Sequence, residues 1–165
     1  MKKDVRKLTL VSLFTAIIFI VTRFVQIPIP LGYATISNAI IVFCCIFIEG
    51  KHAVFAASIG SALADLISFP IYTIPTIILK GLMPIIFGMI IKLPIKKIYL
   101  KYLIAGSVVM LVPVAGYTIV GCILYGTKAG VLQIPGLSIE YVINVFISVF
   151  LINTGLRMKK SIYRN

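Results

Sequence analysis

Four ionisable residues interrupt otherwise apolar stretches: Arg23 in FIVTRFV, Asp65 in SALADLIS, Lys80 in TIILKGL and Glu140 in GLSIEYVINV. Acids and bases in such surroundings pair with one another, meet a polar ligand or relay protons. Catalysis fits poorly. One intramembrane aspartate cannot form the paired-carboxylate dyad of an aspartyl protease. The sole histidine, His52, precedes Ser61 by nine residues, about 13 Å along a helix, which is too far for a Ser–His pair. No G-x-x-x-x-G-K-[ST] loop is present, so the chain has no familiar means of binding and hydrolysing ATP. Cys44, Cys45 and Cys122 fall in apolar runs without CxxC or Cys/His spacing, which points to buried free thiols and no metal site. Recognition is the chemistry that remains, and no cofactor is implied.

The elements that must carry these residues follow from composition. Of 165 residues, 61% are hydrophobic and 12% charged, with a mean hydropathy of +1.14. Soluble domains are about half apolar and a quarter charged, so the chain reads as an all-α integral membrane protein. At about 17 to 25 residues per span, six helices are predicted, at about 8–26, 34–49, 52–69, 75–92, 102–125 and 138–157. Short connections and the lack of an internal repeat predict one compact six-helix bundle over residues 1–165. The first apolar run lacks a small-residue cleavage site, so it is expected to remain in the mature protein. Pro84 and Pro113 lie inside spans and predict kinks.

Basic residues orient the bundle. Lys2, Lys3, Arg6 and Lys7 precede the first span, Lys51 follows the second, Lys92, Lys96, Lys97 and Lys101 follow the fourth, and Arg157, Lys159, Lys160 and Arg164 follow the sixth. Only Lys128 falls in an opposite loop, so the positive-inside rule predicts cytoplasmic termini in a multi-pass protein of the cell membrane. The net charge of +12 is divided among these juxtamembrane clusters, which suits anionic lipid headgroups and argues against nucleic acid as a partner.

With that topology, helical rise places Arg23, Asp65, Lys80 and Glu140 in the outer third of the membrane, on four different helices. The loops at that face, QIPIPLGY, SFPIYTIP and GTKAGVLQIPGL, are rich in Pro, Gly and Tyr and suited to roofing a pocket. Asp65 and Lys80 form a structural ion pair across a hairpin or contact a ligand; the expectation is that Asp65 holds Lys80 while Lys80 lines the pocket. Arg23 reads as a snorkelling anchor. Tyr33 and Tyr72 are ligand-stacking rings or interfacial belt residues, and Asn38 and Asn144 are ligand contacts or polar glue between helices.

Small residues form two stripes along the third span: Ala53, Ala57 and Ser61, and beside them Ala56, Gly60 and Ala64. They let another helix approach closely and predict a central packing helix. Ser12 and Ala16 form a similar pair in the first span, serving internal packing or a partner.

These strings carry a resemblance. LTLVSLFTAIIF, IPIPLGYATISNAIIVF, SALADLISFPIYTIPTIILKGL and, more faintly, QIPGLSIEYVINVFISVF resemble the S components of energy-coupling factor (ECF) vitamin transporters, most closely the riboflavin-type subgroup. The resemblance implies six helices, cytoplasmic termini and an outward pocket roofed by the loops after spans one, three and five. It also implies partners: a transmembrane coupling subunit and two ATPases, so that ATP hydrolysis lies outside this chain. The family's coupling contact, an Ala-xxx-Ala pair on the first helix, corresponds here to Ser12 and Ala16. Where relatives often have Gly-Asp this chain has Ser37 and Asn38, and where they often have Asn and Gln it has Leu137 and Glu140. The implied ligand is a flat, polar B-vitamin-like heterocycle, a pyridoxine-, pyridoxamine- or hydroxymethylpyrimidine-like compound or riboflavin. Its expected contacts are Tyr33, Asn38, Asp65, Tyr72, Lys80, Glu140 and Asn144. A non-transporting membrane scaffold is the alternative, and a self-sufficient secondary transporter fits less well because no repeated half is visible.

Overall fold

The computed structural model describes residues 2–162, with side chains from residue 5 to 161. The side chains of Lys2 and Lys3, and all of Arg164, used above to orient the chain, lie outside that range. Eight helices and one hairpin make up the described residues. They are α1 (Lys2–Phe24), β1 (Gln26–Ile29), β2 (Gly32–Thr35), α2 (Ser37–Phe47), α3 (Lys51–Ser68), α4 (Thr73–Ile91), α5 (Ile98–Val109), α6 (Leu111–Tyr125), α7 (Thr127–Leu132) and α8 (Ile134–Ile162). A short 3-10 turn over Pro70–Tyr72 joins α3 to α4.

Four helical stretches, Val5–Phe24, Pro70–Ile91, Ile98–Tyr125 and Thr127–Ser161, are long and apolar enough to cross a membrane. Their outer faces carry bare hydrocarbon: Phe146 is 80% exposed and Ile123 76%. In water such a surface would be costly, whereas lipid is its natural solvent. The chain is therefore a multi-pass, all-α membrane protein with one small sheet.

Three departures from the predicted elements have local causes. The segment QIPIPLGYAT forms an antiparallel hairpin in which Gln26 faces Thr35 and Pro28 faces Tyr33. Both strands are edges, so Pro28 removes no needed ladder donor, and Pro30 presets the turn. The fifth span breaks at Met110 into α5 and α6, because Pro113 lacks an N–H and crowds the carbonyl four residues back, at Val109. By contrast α4 continues through Pro84. The last outer connection is helical: Gly126, with φ of +88°, ends α6, and α7 folds back along it. A β-carbon on Gly130 would meet the Cys122 backbone nitrogen at 2.5 Å, so only glycine permits this approach.

α3 is the central helix, packed on α1 at one side and α4 at the other. Ala53, Ala56, Ala57, Ser61 and Ala64 are all buried. A β-carbon on Gly60 would lie 2.7 Å from the Thr15 carbonyl oxygen, and one on Gly81 would lie 2.6 Å from Ser58 Oγ. Ser58 donates to the Ile77 carbonyl at 3.0 Å, tying α3 to α4. At the hairpin end, Gln26 donates to the Thr22 carbonyl and to Ser68 Oγ, both at 3.0 Å, which fastens the sheet across α1 and α3.

At the other end of the bundle, Lys159 pairs with Glu49 at 3.6 Å. Lys7, Glu49, His52 and Lys159 surround one recess there. The start of α1 and the end of α8 thus lie at the same end, opposite the hairpin.

Candidate functional site

α2 has 11 residues, about 16 Å of helix, so it stops well short of the bundle's hairpin end. The hairpin fills part of the missing length and leaves a cavity of ≈ 40 Å³, inside ≈ 480 Å³ of empty space that includes its open mouth. Strand alternation turns Tyr33 and Thr35 to one face, and both line the cavity with Asp65 of α3, Thr76 and Lys80 of α4 and Tyr117 of α6. Thr76 and Lys80 share a helix face because they are four residues apart. Gln133, Leu137 and Glu140 complete the wall from the other side, again at helical spacing.

Two polar networks cross this space. Asp65 accepts a hydrogen bond from the Tyr33 phenol on one oxygen and from Thr76 Oγ1 on the other. The Tyr117 hydroxyl lies 2.8 Å from Thr76 Oγ1, whose proton is committed to Asp65, so Tyr117 donates. Burial, and next the Asp65 carboxylate, raise the Tyr33 pKa above its ordinary 10.0, which keeps the phenol a donor. In the second network Lys80 Nζ donates to Asn38 Oδ1, and Asn38 Nδ2 donates to Glu140 Oε1 at 2.8 Å. Lys80 is 2% exposed, Glu140 4% and Asp65 5%, so all three are removed from bulk water.

Asn38 rather than Asp65 therefore holds Lys80. No lysine or arginine nitrogen comes within 4.0 Å of Asp65 among the described residues, which corrects the expected ion pair across the α3–α4 turn. The chain connectivity made that pair look natural. The short α2, however, presents its second residue, Asn38, to the ammonium and leaves the Asp65 oxygens facing two hydroxyls.

Three buried polar atoms in the cavity wall make no hydrogen bond within 3.5 Å among the described residues: Thr22 Oγ1, and the Tyr72 hydroxyl and Gln133 Nε2, which neighbour each other. Leaving such groups unmade costs about 1–3 kcal/mol each, so groups of this kind take a partner from water or from a ligand. Aromatic rings flank them. Tyr33 and Phe69 lie with centroids 5.6 Å apart, and Tyr72 and Tyr117 6.0 Å apart.

Of the residues singled out from sequence, Tyr33, Asp65, Tyr72, Lys80 and Glu140 line the cavity together. Asn38 stands behind its wall as the bridge just described. Asn144 is a bracket: Oδ1 accepts from the Ala39 N–H at 2.9 Å, while Nδ2 donates to the carbonyls of Thr35 at 2.7 Å and Glu140 at 2.9 Å. Arg23 is not among the lining residues and lies 5.8 Å over the Phe24 ring. Ser12 and Ala16 sit on an exposed face of α1, away from the α3 contact. Thr22, Thr76, Tyr117 and Gln133 were not singled out, although the four-residue step to Lys80 pointed to Thr76, and the step from Gln133 to Leu137 and Glu140 pointed to Gln133.

Among the described residues no three His, Cys, Asp or Glu side chains cluster as metal ligands. Fold and cavity together define a membrane-embedded protein built to hold a small polar molecule. The model of the family described as "ECF-type riboflavin transporter, S component" matches residues 2–158. This chain belongs to that family, and so is a membrane subunit for substrate capture in ECF-type transport. It is also 31% identical over 118 residues to a Pyrococcus woesei protein described as "Uncharacterized protein in gap 3'region", a match covering 69% of this chain and 77% of that protein.

Proposed function

We propose that this chain captures a water-soluble vitamin or vitamin precursor in the hairpin-end cavity, from outside the cell, and delivers it through an ECF coupling subunit driven by two ATPases. The observation that carries the reading is the set of partnerless atoms, Thr22 Oγ1, Tyr72 OH and Gln133 Nε2, converging on one aromatic-walled space. Ser37, Ser61 and Thr73 also carry buried hydroxyls without a partner among the described residues, away from the cavity; what sets the other three apart is that they line one space.

The ligand we favour is a single B-vitamin-like heterocycle, pyridoxine-, pyridoxamine- or hydroxymethylpyrimidine-like, with riboflavin as the choice that the family description favours. Tyr33 or Tyr72 stacks on its ring. Asp65, Lys80 and Glu140 supply direct polar contacts, while Asn38 and Asn144 hold the wall in register. The chain forms one domain of six transmembrane segments, with α5 and α6 counted together and α7 folded over the outer face. Support for both termini being cytoplasmic comes from the shared recess of Lys7 and Lys159 and from the basic residues at that end. The exposed Ser12 and Ala16 leave α1 free for close approach by the coupling subunit.

Purification from the native membrane, followed by mass spectrometry of what co-purifies, tests this reading. A bound heterocycle of this class and peptides of the coupling subunit and ATPases are expected. Uptake that needs only an ion gradient and persists without any ATPase would contradict it.

A further inference from the structure

The cavity wall contains three ionisable groups, the carboxyl groups of Asp65 and Glu140 and the amine of Lys80. Asn38 links two of them, accepting from Lys80 and donating to Glu140 at 2.8 Å, so that this base and this acid offset each other. Asp65 is left with two neutral donors, Tyr33 and Thr76. Both Asp65 oxygens accept a hydrogen bond, the pattern of a carboxylate, so with Lys80 and Glu140 offsetting each other the lining as charged groups leaves one negative charge in excess, on a side chain 5% exposed. Hydroxyl donors solvate a carboxylate without neutralising it, and an unpaired charge removed from water is unfavourable unless an opposite charge arrives.

The rings beside Asp65 tell what kind of opposite charge fits. Tyr33, Phe69, Tyr72 and Tyr117 all face the cavity, and their faces attract organic cations. A hydrated metal ion would instead require several oxygen or nitrogen ligands, and no three His, Cys, Asp or Glu side chains cluster for one among the described residues.

We infer that the captured ligand carries a single positive charge, as a protonated amine or ring nitrogen on a small heterocycle, and that Asp65 is its counter-ion. This deepens the capture reading and rests on it. Asp65 receives the cationic nitrogen, while the Lys80–Asn38–Glu140 relay and the partnerless Gln133 and Tyr72 meet the ligand's neutral polar edge.

Matched compounds differing in one group test the charge separately from capture. The probes are pyridoxamine against pyridoxine, the aminomethyl against the hydroxymethyl form of an aminopyrimidine, and riboflavin, each titrated calorimetrically into the purified full chain. The aminomethyl member of a pair should bind about 10- to 100-fold more tightly than its hydroxymethyl partner. In Asp65→Asn that preference should vanish. If a hydroxymethyl compound or riboflavin binds the unsubstituted protein as tightly as any amine, the charge inference is wrong and capture stands. Stabilisation by sodium or potassium alone, equal to that by the amines, would likewise overturn it. If none of the five compounds binds a protein that still melts cooperatively, the capture reading itself fails, and this inference with it.

Discussion

Asn38 stands between Lys80 and Glu140, its carbonyl oxygen accepting from the ammonium and its amide nitrogen donating to the carboxylate at 2.8 Å. Three residues far apart in sequence, at positions 38, 80 and 140, thereby share one buried hydrogen-bonded line that ties α2 to α4 and α8. Replacing Asn38 by Leu leaves a buried base and acid without their bridge. The variant should lose about 2–4 kcal/mol of stability, seen as a lowered thermal midpoint in detergent. An unchanged midpoint would mean that the two charges find each other without Asn38.

Gln133 predicts the opposite pattern. Its Nε2 has no partner among the described residues, so Gln133→Met should leave the unliganded thermal midpoint equal or higher. Ligand affinity should fall about 10-fold, as for one lost hydrogen bond to a polar ligand. Equal affinity in calorimetry would remove Gln133 from the binding surface.

Gly60 lies where α1 and α3 nearly touch, and an added β-carbon would stand 2.7 Å from the Thr15 carbonyl oxygen. That oxygen belongs to backbone and cannot swing aside. Gly60→Ala should therefore cost about 1–3 kcal/mol through forced separation of the helices, measured by thermal unfolding. The same change at Gly88, where nothing lies within 4 Å, is the control and should be tolerated.

Tyr33 gives a pH signature. Its folded-state pKa is raised above the ordinary 10.0, by burial and then by Asp65. Below that ordinary value both folded and unfolded chains keep the phenol protonated, and its contribution is fully present. Above it, the unfolded chain releases the proton and the folded chain does not, so stability falls as pH rises. Tyr33→Phe removes this dependence, and its thermal midpoint should decline less steeply than that of the parent above pH about 10.

Ser12 and Ala16 sit on the exposed face of α1. Leucine at both positions should block co-purification with a coupling subunit while ligand titrations remain unchanged, because neither residue lines the cavity. Normal assembly of the double variant would mean that this pair is not the coupling contact.

That Asp65, Lys80 and Glu140 gather toward one end of the bundle was legible because helical rise is a metric: counting residues from the end of a span measures distance along it. Which of them meet was not legible. Sequence neighbourhood favoured Asp65 with Lys80 across a tight turn, and nothing in one chain announces that residue 38 comes between residues 80 and 140. QIPIPLGY read as loop because Pro28, Pro30 and Gly32 mask its strand alternation, and Ala34 and Thr35, read as the start of a helix, instead end β2. The break at Met110 was hidden by unbroken hydropathy on both sides of Pro113. GTKAGVL read as loop because its two glycines weaken a helix, yet Gly130 is the residue that lets α7 lie against Cys122. Tyr117 gave no signal of its own, since an aromatic in an apolar span is ordinary; only the fold brings it to Thr76.

The central claim is that the hairpin-end cavity binds a small heterocycle, and a calorimetric titration of the purified full chain addresses it most directly. Riboflavin, pyridoxine, pyridoxamine and hydroxymethylpyrimidine should be tested against the unsubstituted protein and against a variant in which Lys80 and Glu140 are both replaced by apolar residues. The account predicts saturable one-to-one binding of at least one compound and its loss in the double variant while the protein still reaches the membrane. Binding that survives in the double variant, or no binding by a folded parent protein, would contradict it.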